Sequence, residues 1–380
     1  MTQLRIPAVY MRGGTSKGVF FLRDDLPADP AARDRLLLRV IGSPDPYGKH
    51  IDGMGGATSS TSKVVIINKS QRPDCDVDYL FGALSVSRAD IDWSGNCGNL
   101  SAAVGPFAIS SGLVSAPIEG SGWATVRIWQ ANIGKVIVSH VQMKDGEVLE
   151  EGDFELDGVT FPAAEIKLEF LDPAADEGDG GAMFPTGHVR DTLDVPGVGK
   201  VEATLINAGL PTVFVAATSL GFTGTELQAD INSNPERLAR AEAVRMAGAQ
   251  AMGIAATPGS HTPKIAFVAG PADYTASDGK AVRGADINLL ARIFSMGPLH
   301  HAMTGTGAVA IATAVAIPGT LPAQVARPSD DGWVRFGHPS GTLAVGAEAQ
   351  EIDGQWVVSK AMMSRSARRL MEGWVRVPAI

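Results

Sequence analysis

Two segments constrain the fold most: residues 100–111 and 308–317 are rich in small residues and apolar on nearly every side. A helix without a polar face cannot lie on a surface, so each belongs inside a layer of other elements. Around them run short β-branched stretches bounded by Gly, Pro, Asn or Asp: Val64-Val65-Ile66-Ile67, Val126-Arg127-Ile128-Trp129, Lys135-Val136-Ile137-Val138, Thr212-Val213-Phe214-Val215 and Lys264-Ile265-Ala266-Phe267-Val268. These read as strands. Other helices are expected at 31–41, 235–253 and 288–295. The mixture predicts an α+β fold, mostly antiparallel sheet wrapped around a few helices.

At 380 residues the chain is two domains or one large one. The breaker-rich acidic run Asp172-Pro173-Ala174-Ala175-Asp176-Glu177-Gly178-Asp179-Gly180-Gly181 lies near the middle and places a boundary there, giving domains 1–184 and 185–380. A faint repeat points to related halves. Cys97 precedes a small-residue stretch ending at Gly112, and Thr304 precedes one ending at Gly319, each fifteen residues on.

The formal charge of −9, with no run of lysine or arginine, repels a polyanion, so nucleic acid is not an expected partner. The first residues lack a signal-peptide pattern. The most apolar segment, 308–317, is interrupted by Thr313 and is too short to span a bilayer. A cytoplasmic protein without membrane contact is expected. Two cysteines in dissimilar surroundings form neither a disulfide framework nor a zinc pattern, and the histidines have no metal-ligand spacing, so no metal is expected.

Five segments combine Gly with Ser, Thr, Asn or Lys and hold no carboxylate: 12–18, 53–63, 94–99, 303–307 and 337–342. Such loops offer N–H groups and hydroxyls to oxyanions, which predicts a ligand carrying carboxylates or phosphates. The first is not a P-loop, because Lys17 precedes Gly18 instead of following the second glycine. In the third, Ser94-Gly95-Asn96-Cys97-Gly98-Asn99, a cysteine stands where a helix should begin, a place that favours a thiolate and draws carboxylates. Lys63 leads from a polar loop into an apolar strand, a partly desolvated setting that suits a general base. A lysine snorkelling from a strand end, or a cysteine that merely packs, would look alike at this level.

The chain resembles the PrpF family, the 2-methylaconitate isomerases and their relatives, over essentially its whole length. The likeness is carried by Met11-Arg12-Gly13-Gly14-Thr15-Ser16-Lys17-Gly18, Ile41-Gly42-Ser43-Pro44-Asp45-Pro46-Tyr47, the run from Ile51 to Lys63, Trp93-Ser94-Gly95-Asn96-Cys97-Gly98-Asn99, Phe336-Gly337-His338-Pro339-Ser340-Gly341 and Met363-Ser364-Arg365-Ser366-Ala367-Arg368. The resemblance implies a diaminopimelate epimerase-like fold: two similar domains, each a mixed β-sheet rolled around a central helix, with the active site in the interdomain cleft. It further implies a cofactor-independent isomerase that moves protons on an unsaturated di- or tricarboxylate, with Lys63 and Cys97 as acid/base pair. Where the epimerase branch has a second cysteine this chain has Thr304, so lysine must supply the other proton site.

The carboxylates would be held by Arg12, Gly13, Thr15, Ser16, Lys17, Ser62, Asn96, Gly98, Asn99, Lys264, His301, Thr304, Gly305, Thr306, His338 and Ser340. The resemblance implies Met, Ala and Asn in a 2-methylaconitate isomerase where this chain has Thr304, Gly307 and His188. The polar Thr304 and His188 favour 4-oxalomesaconate, of protocatechuate and lignin-derived aromatic breakdown, as substrate, with 2-methylaconitate of the methylcitrate pathway as the alternative. A homodimer is left open. So are two rivals on the residues alone: a non-catalytic carboxylate binder, and a cysteine hydrolase pairing Cys97 with His301 or His338.

Overall fold

The computed structural model describes residues 3–116, 120–174, 182–329, 332–352 and 355–378. It divides into two units, Met1–Leu168 with Arg365–Ile380, and Glu169–Ser364.

The first unit opens with an antiparallel hairpin, β1 (Leu4–Gly13) and β2 (Ser16–Leu22). Gly14, at φ 51°, is the first central residue of its two-residue turn, where a positive φ is needed. Helix α1 (Pro30–Ile41) follows, started by the Asp29 carboxylate accepting from the Ala32 N–H and stopped at Gly42 with φ 86°. It buries Leu36, Leu37, Val40 and Ile41. A crossover of this length allows β3 (Lys63–Lys69) to return parallel to β2, while β4 (Val77–Leu84) pairs antiparallel with β3. Next comes α2 (Ser101–Ser110), buried from Ser101 to Ala108, then the hairpin β5 (Ser121–Gln130) and β6 (Lys135–Lys144). The strand Ala367–Val377 returns to this unit and pairs antiparallel with β1. Helix α2 touches β1, β5, β6 and that returning strand, so it has sheet around it as its all-round apolar surface demands.

The second unit repeats the order. β7 (Gly199–Ala208) and β8 (Leu210–Ala216) form a hairpin, α3 (Pro235–Ala251) crosses over, and β9 (Lys264–Ala269) lies parallel to β8. β10 (Leu289–Phe294) pairs antiparallel with β9, α4 (Gly305–Val315) is buried from Gly305 to Ala314, and β11 (Trp333–His338) and β12 (Gly341–Ile352) form the last hairpin. Helix α4 touches β7, β8, β11 and β12. The expected α+β architecture, a mixed sheet about a buried helix in each half, is what the chain adopts.

Three expectations change. Residues 288–295, expected helical, form β10, all of whose residues Leu289–Phe294 are buried. Apart from Arg292, itself buried, the run Leu289–Phe294 is apolar throughout, and periodicity cannot tell such a buried strand from a buried helix. The units do not divide at 184/185: the chain crosses after Leu168, and the segment from Arg365 belongs to the first unit because β1 takes Ala367–Val377 as neighbour. Of the acidic run that marked the boundary, residues 175–181 lie outside the described residues. The two buried helices also start at different distances from the repeat's first residue. Even so, the carbonyls of Cys97 and Thr304 each accept the N–H four residues on, from Ser101 at 3.0 Å and Ala308 at 2.9 Å.

Candidate active site

In the first unit the sequence from β3 to α2 brings two chemically active side chains into contact. Lys63 is the first residue of β3 and Cys97 lies in the loop before α2, ahead of Gly98, Asn99 and the N-cap Leu100. The Lys63 ammonium donates to Cys97 Sγ at 3.0 Å and to Ser16 Oγ at 3.3 Å, and sits 5.4 Å from the centroid of the Phe81 ring. Lys63 is 7% exposed and Cys97 5%. The contact sets an amine and a thiol, two groups able to give or take a proton, side by side in a buried place, the arrangement that acid/base chemistry at carbon uses.

The hairpin tip of β1 and β2 is packed onto the Cys97 loop. A Cβ on Gly13 would stand 2.7 Å from the Asn99 carbonyl oxygen and 2.9 Å from Leu100 Cα, so only a glycine lets the two backbones approach. Asn99 locks the junction: its Nδ2 donates to Thr15 Oγ1 at 3.0 Å and its Oδ1 accepts from Arg365 Nε at 3.1 Å. Arg12 turns to the backbone, donating to the carbonyls of Gly14 and Ser366. Burial, and then Arg368, lower its guanidinium to about 10. Ser62 Oγ meets His50 Nδ1 at 3.3 Å, and the half-buried Lys17 rests over Tyr10. Gly98 is buried next to the thiol.

Asn96 is different. It is 1% exposed, and neither Nδ2 nor Oδ1 has a hydrogen-bond partner among the described residues. A buried primary amide left so costs about 1–3 kcal/mol per group, which marks a residue kept for something besides packing.

Two residues here escaped the sequence reading. Arg365, 1% exposed, is lowered to about 10 by burial, with the neighbouring Cys97 opposing that shift. It supplies positive charge near the thiol. The Tyr79 hydroxyl donates to the Cys97 carbonyl at 3.3 Å, and burial, then Cys97, holds its phenol well above the ordinary range. Arg365 was visible only as part of a run near the C-terminus, 266 residues from Asn99.

The remaining predicted residues fall in the second unit. Lys264 opens β9 as Lys63 opens β3, and it is 1% exposed, with Nζ 3.0 Å from Ser295 Oγ and 3.1 Å from His261 Nδ1. The repeat thus carries a buried lysine in each half, paired with a thiol in one and an imidazole in the other. Thr304 caps α4, its hydroxyl oxygen accepting from the Gly307 N–H at 3.1 Å, with Gly305 and Thr306 buried in the first turn. His338 Nδ1 accepts from the Ser340 N–H, Ser340 Oγ donates to the His301 carbonyl, and the His301 ring stacks on His300. His188, one basis of the substrate preference, is exposed and 3.8 Å from Asp191. Among the described residues no group of three His, Cys, Asp or Glu could hold a metal ion, and no helix is long and apolar enough to cross a membrane.

The family model described as PrpF protein matches residues 3–378. The chain belongs to the PrpF family. Among its relatives, the 2-methyl-aconitate isomerase of Cupriavidus necator is 65% identical, across 99% of this chain and 98% of that protein. The 2-methyl-aconitate isomerase of Shewanella oneidensis is 61% identical over the same shares, whereas the (4E)-oxalomesaconate Delta-isomerase of a Novosphingobium strain is 41% identical over 98% and 97%. Of solved structures, methylitaconate-delta-isomerase matches with TM-score 0.78 at 40% identity, covering 99% of this chain and 96% of that one. A probable proline racemase from Agrobacterium radiobacter, at 13% identity and TM-score 0.58 over 99% and 93%, shares the fold alone. This PrpF-family protein is an isomerase of the diaminopimelate epimerase-like fold.

Proposed function

We propose that this protein isomerises 2-methylaconitate by proton transfer, with Lys63 and Cys97 as the acid/base pair and no cofactor. The observation that carries the chemistry is the buried 3.0 Å contact between Lys63 Nζ and Cys97 Sγ. The same contact weighs against the rivals. A carboxylate binder has no use for a lysine held against a thiol, and a cysteine hydrolase needs an imidazole where Cys97 meets an ammonium.

The substrate choice reverses the expectation of 4-oxalomesaconate. The 65% and 61% identical relatives are both named for 2-methylaconitate, against 41% for the oxalomesaconate enzyme. The polarity that favoured the larger substrate also has local explanations, since Thr304 caps a helix and His188 is exposed.

Lys63 removes a proton from carbon beside the C=C bond, leaving a dienolate whose charge spreads over three carbons and a carboxylate. Proton return to the same carbon after rotation gives cis–trans isomerisation. Return at the far allylic carbon moves the double bond. The unmet Asn96 amide, in the residue before Cys97, donates from Nδ2 to a substrate carboxylate, and Arg365 favours the negative charge that develops.

The test is a side-by-side kcat/KM for 2-methylaconitate and 4-oxalomesaconate, with proton NMR in D2O to locate the exchanging carbon. A large advantage for 2-methylaconitate is expected, and a large advantage for 4-oxalomesaconate would overturn the assignment.

A further inference from the structure

We propose that Lys63 and Cys97 are also a modification site: peroxide couples them into a covalent nitrogen–sulfur bridge, a sulfenamide, that switches the enzyme off reversibly. The bridge rests on geometry alone, and its regulatory meaning rests on the roles given to both residues above.

A thiol that becomes oxidised to a sulfenic acid is rescued when a nucleophile stands close enough to condense with it before further oxidation. A second thiol commonly serves. Here both cysteines are free, and the group in contact with Cys97 Sγ is an amine, 3.0 Å away and 7% exposed. The contact is fixed from both sides. Lys63 is held by its place at the start of β3 and by Ser16 Oγ at 3.3 Å, and Cys97 by its carbonyl bonds to the Ser101 N–H, Ser101 Oγ and the Tyr79 hydroxyl. Neither side chain needs to travel to react. Cys75 lies in other surroundings, among Asp74, Arg127, Arg72 and Asp78, and burial pushes its thiol up, away from the reactive thiolate form.

The chemistry balances in two steps with hydrogen peroxide as oxidant. Cys97 sulfur attacks one peroxide oxygen, the O–O bond breaks, and the other oxygen leaves as water with the thiol proton. Sulfur is oxidised by two electrons and the peroxide is reduced by two. The lone pair of the neutral Lys63 amine then attacks sulfur, an N–S bond forms as the S–O bond breaks, and the oxygen departs as a second water carrying one hydrogen from nitrogen. Two electrons from a dithiol return the free amine and thiol, so the switch is reversible.

The full-length protein is exposed to a few equivalents of hydrogen peroxide, digested without reductant and examined by mass spectrometry beside an activity assay. The expected product joins the Lys63 and Cys97 peptides at about 2 Da below their summed mass, with dithiothreitol restoring both peptides and turnover. It should be missing in Lys63→Arg and Cys97→Ser, each checked for its fold by circular dichroism, and should persist in Cys75→Ser with basal activity unchanged. Cys97 stopping at sulfenic, sulfinic or sulfonic acid, a link from Cys97 to Cys75, or a link that retains the oxygen would each overturn the proposal. Bridged protein with full turnover would instead overturn the catalytic roles of the pair, so the two failures are distinguishable.

Discussion

Asn96 and Asn99 flank the same cysteine, are each 1% exposed, and should respond to alanine in opposite ways. Asn99 is bonded at both ends, so Asn99→Ala takes one hydrogen bond from Thr15 Oγ1 and one from the buried Arg365 guanidinium. A neutral bond is worth about 0.5–1.5 kcal/mol and one to a charged group about 1.5–3, so the loss is about 2–4.5 kcal/mol before the small cavity is counted. Asn96 has no partner among the described residues at either Nδ2 or Oδ1. Its removal relieves about 1–3 kcal/mol for each unmet group, which roughly offsets the packing lost with three heavy atoms. Asn96→Ala should therefore unfold at least about 2 kcal/mol later than Asn99→Ala in urea, followed by tryptophan fluorescence with m unchanged. Its kcat/KM should nonetheless fall about ten- to hundredfold, the worth of one hydrogen bond to a charged substrate group. Equal destabilisation by the two substitutions, or wild-type kcat/KM in Asn96→Ala, would refute the claim that this amide is held in reserve for substrate.

Lys63→Met should keep the fold and lower turnover by about 10²–10⁴, with deuterium washout at the acidic carbon lost. Cys97→Ser should keep part of both signals, because a hydroxyl still meets the Lys63 ammonium; loss of washout in Cys97→Ser alone would reverse the two roles. Because Tyr79 is held above its usual range, the unfolded chain ionises first, so the stability Tyr79 contributes is present below about pH 10 and is lost as pH rises further. Tyr79→Phe should flatten that alkaline decline in thermal melts. Gly13→Ala should lower the melting temperature and the activity together, since its Cβ would stand 2.7 Å from a backbone oxygen. Activity should survive EDTA and desalting; restoration only by a divalent ion would refute the cofactor-free reading.

Local chemistry was legible along the chain. A cysteine between Gly-Asn pairs and a lysine entering an apolar strand both announce themselves within about a dozen residues, because helix starts and strand entries are set by near neighbours. The buried helices α2 and α4 were equally plain, having no polar face to offer water. What failed was whatever depends on pairing. Residues 288–295 became strand because β9 and β11 lie on either side of β10, and no periodicity in that run carries the information. His188 was one basis of the substrate expectation, yet it is exposed, and exposure is decided by what packs nearby.

The sequence by itself determined which side chains carry titratable chemistry at element starts and which loops are rich in glycine and hydroxyls, since these follow from residue type and backbone preference within short windows. Only the tertiary structure decided that Lys63 meets Cys97, that Asn99 and not Asn96 is spoken for, and that Arg365 returns from the far end of the chain to stand by the thiol. These contacts join residues 34 and 266 positions apart, and they form because β3 is bound to β2 and Ala367–Val377 to β1. Sheet pairing and burial act between segments however far apart they lie in the chain, so their outcome is written in no single segment.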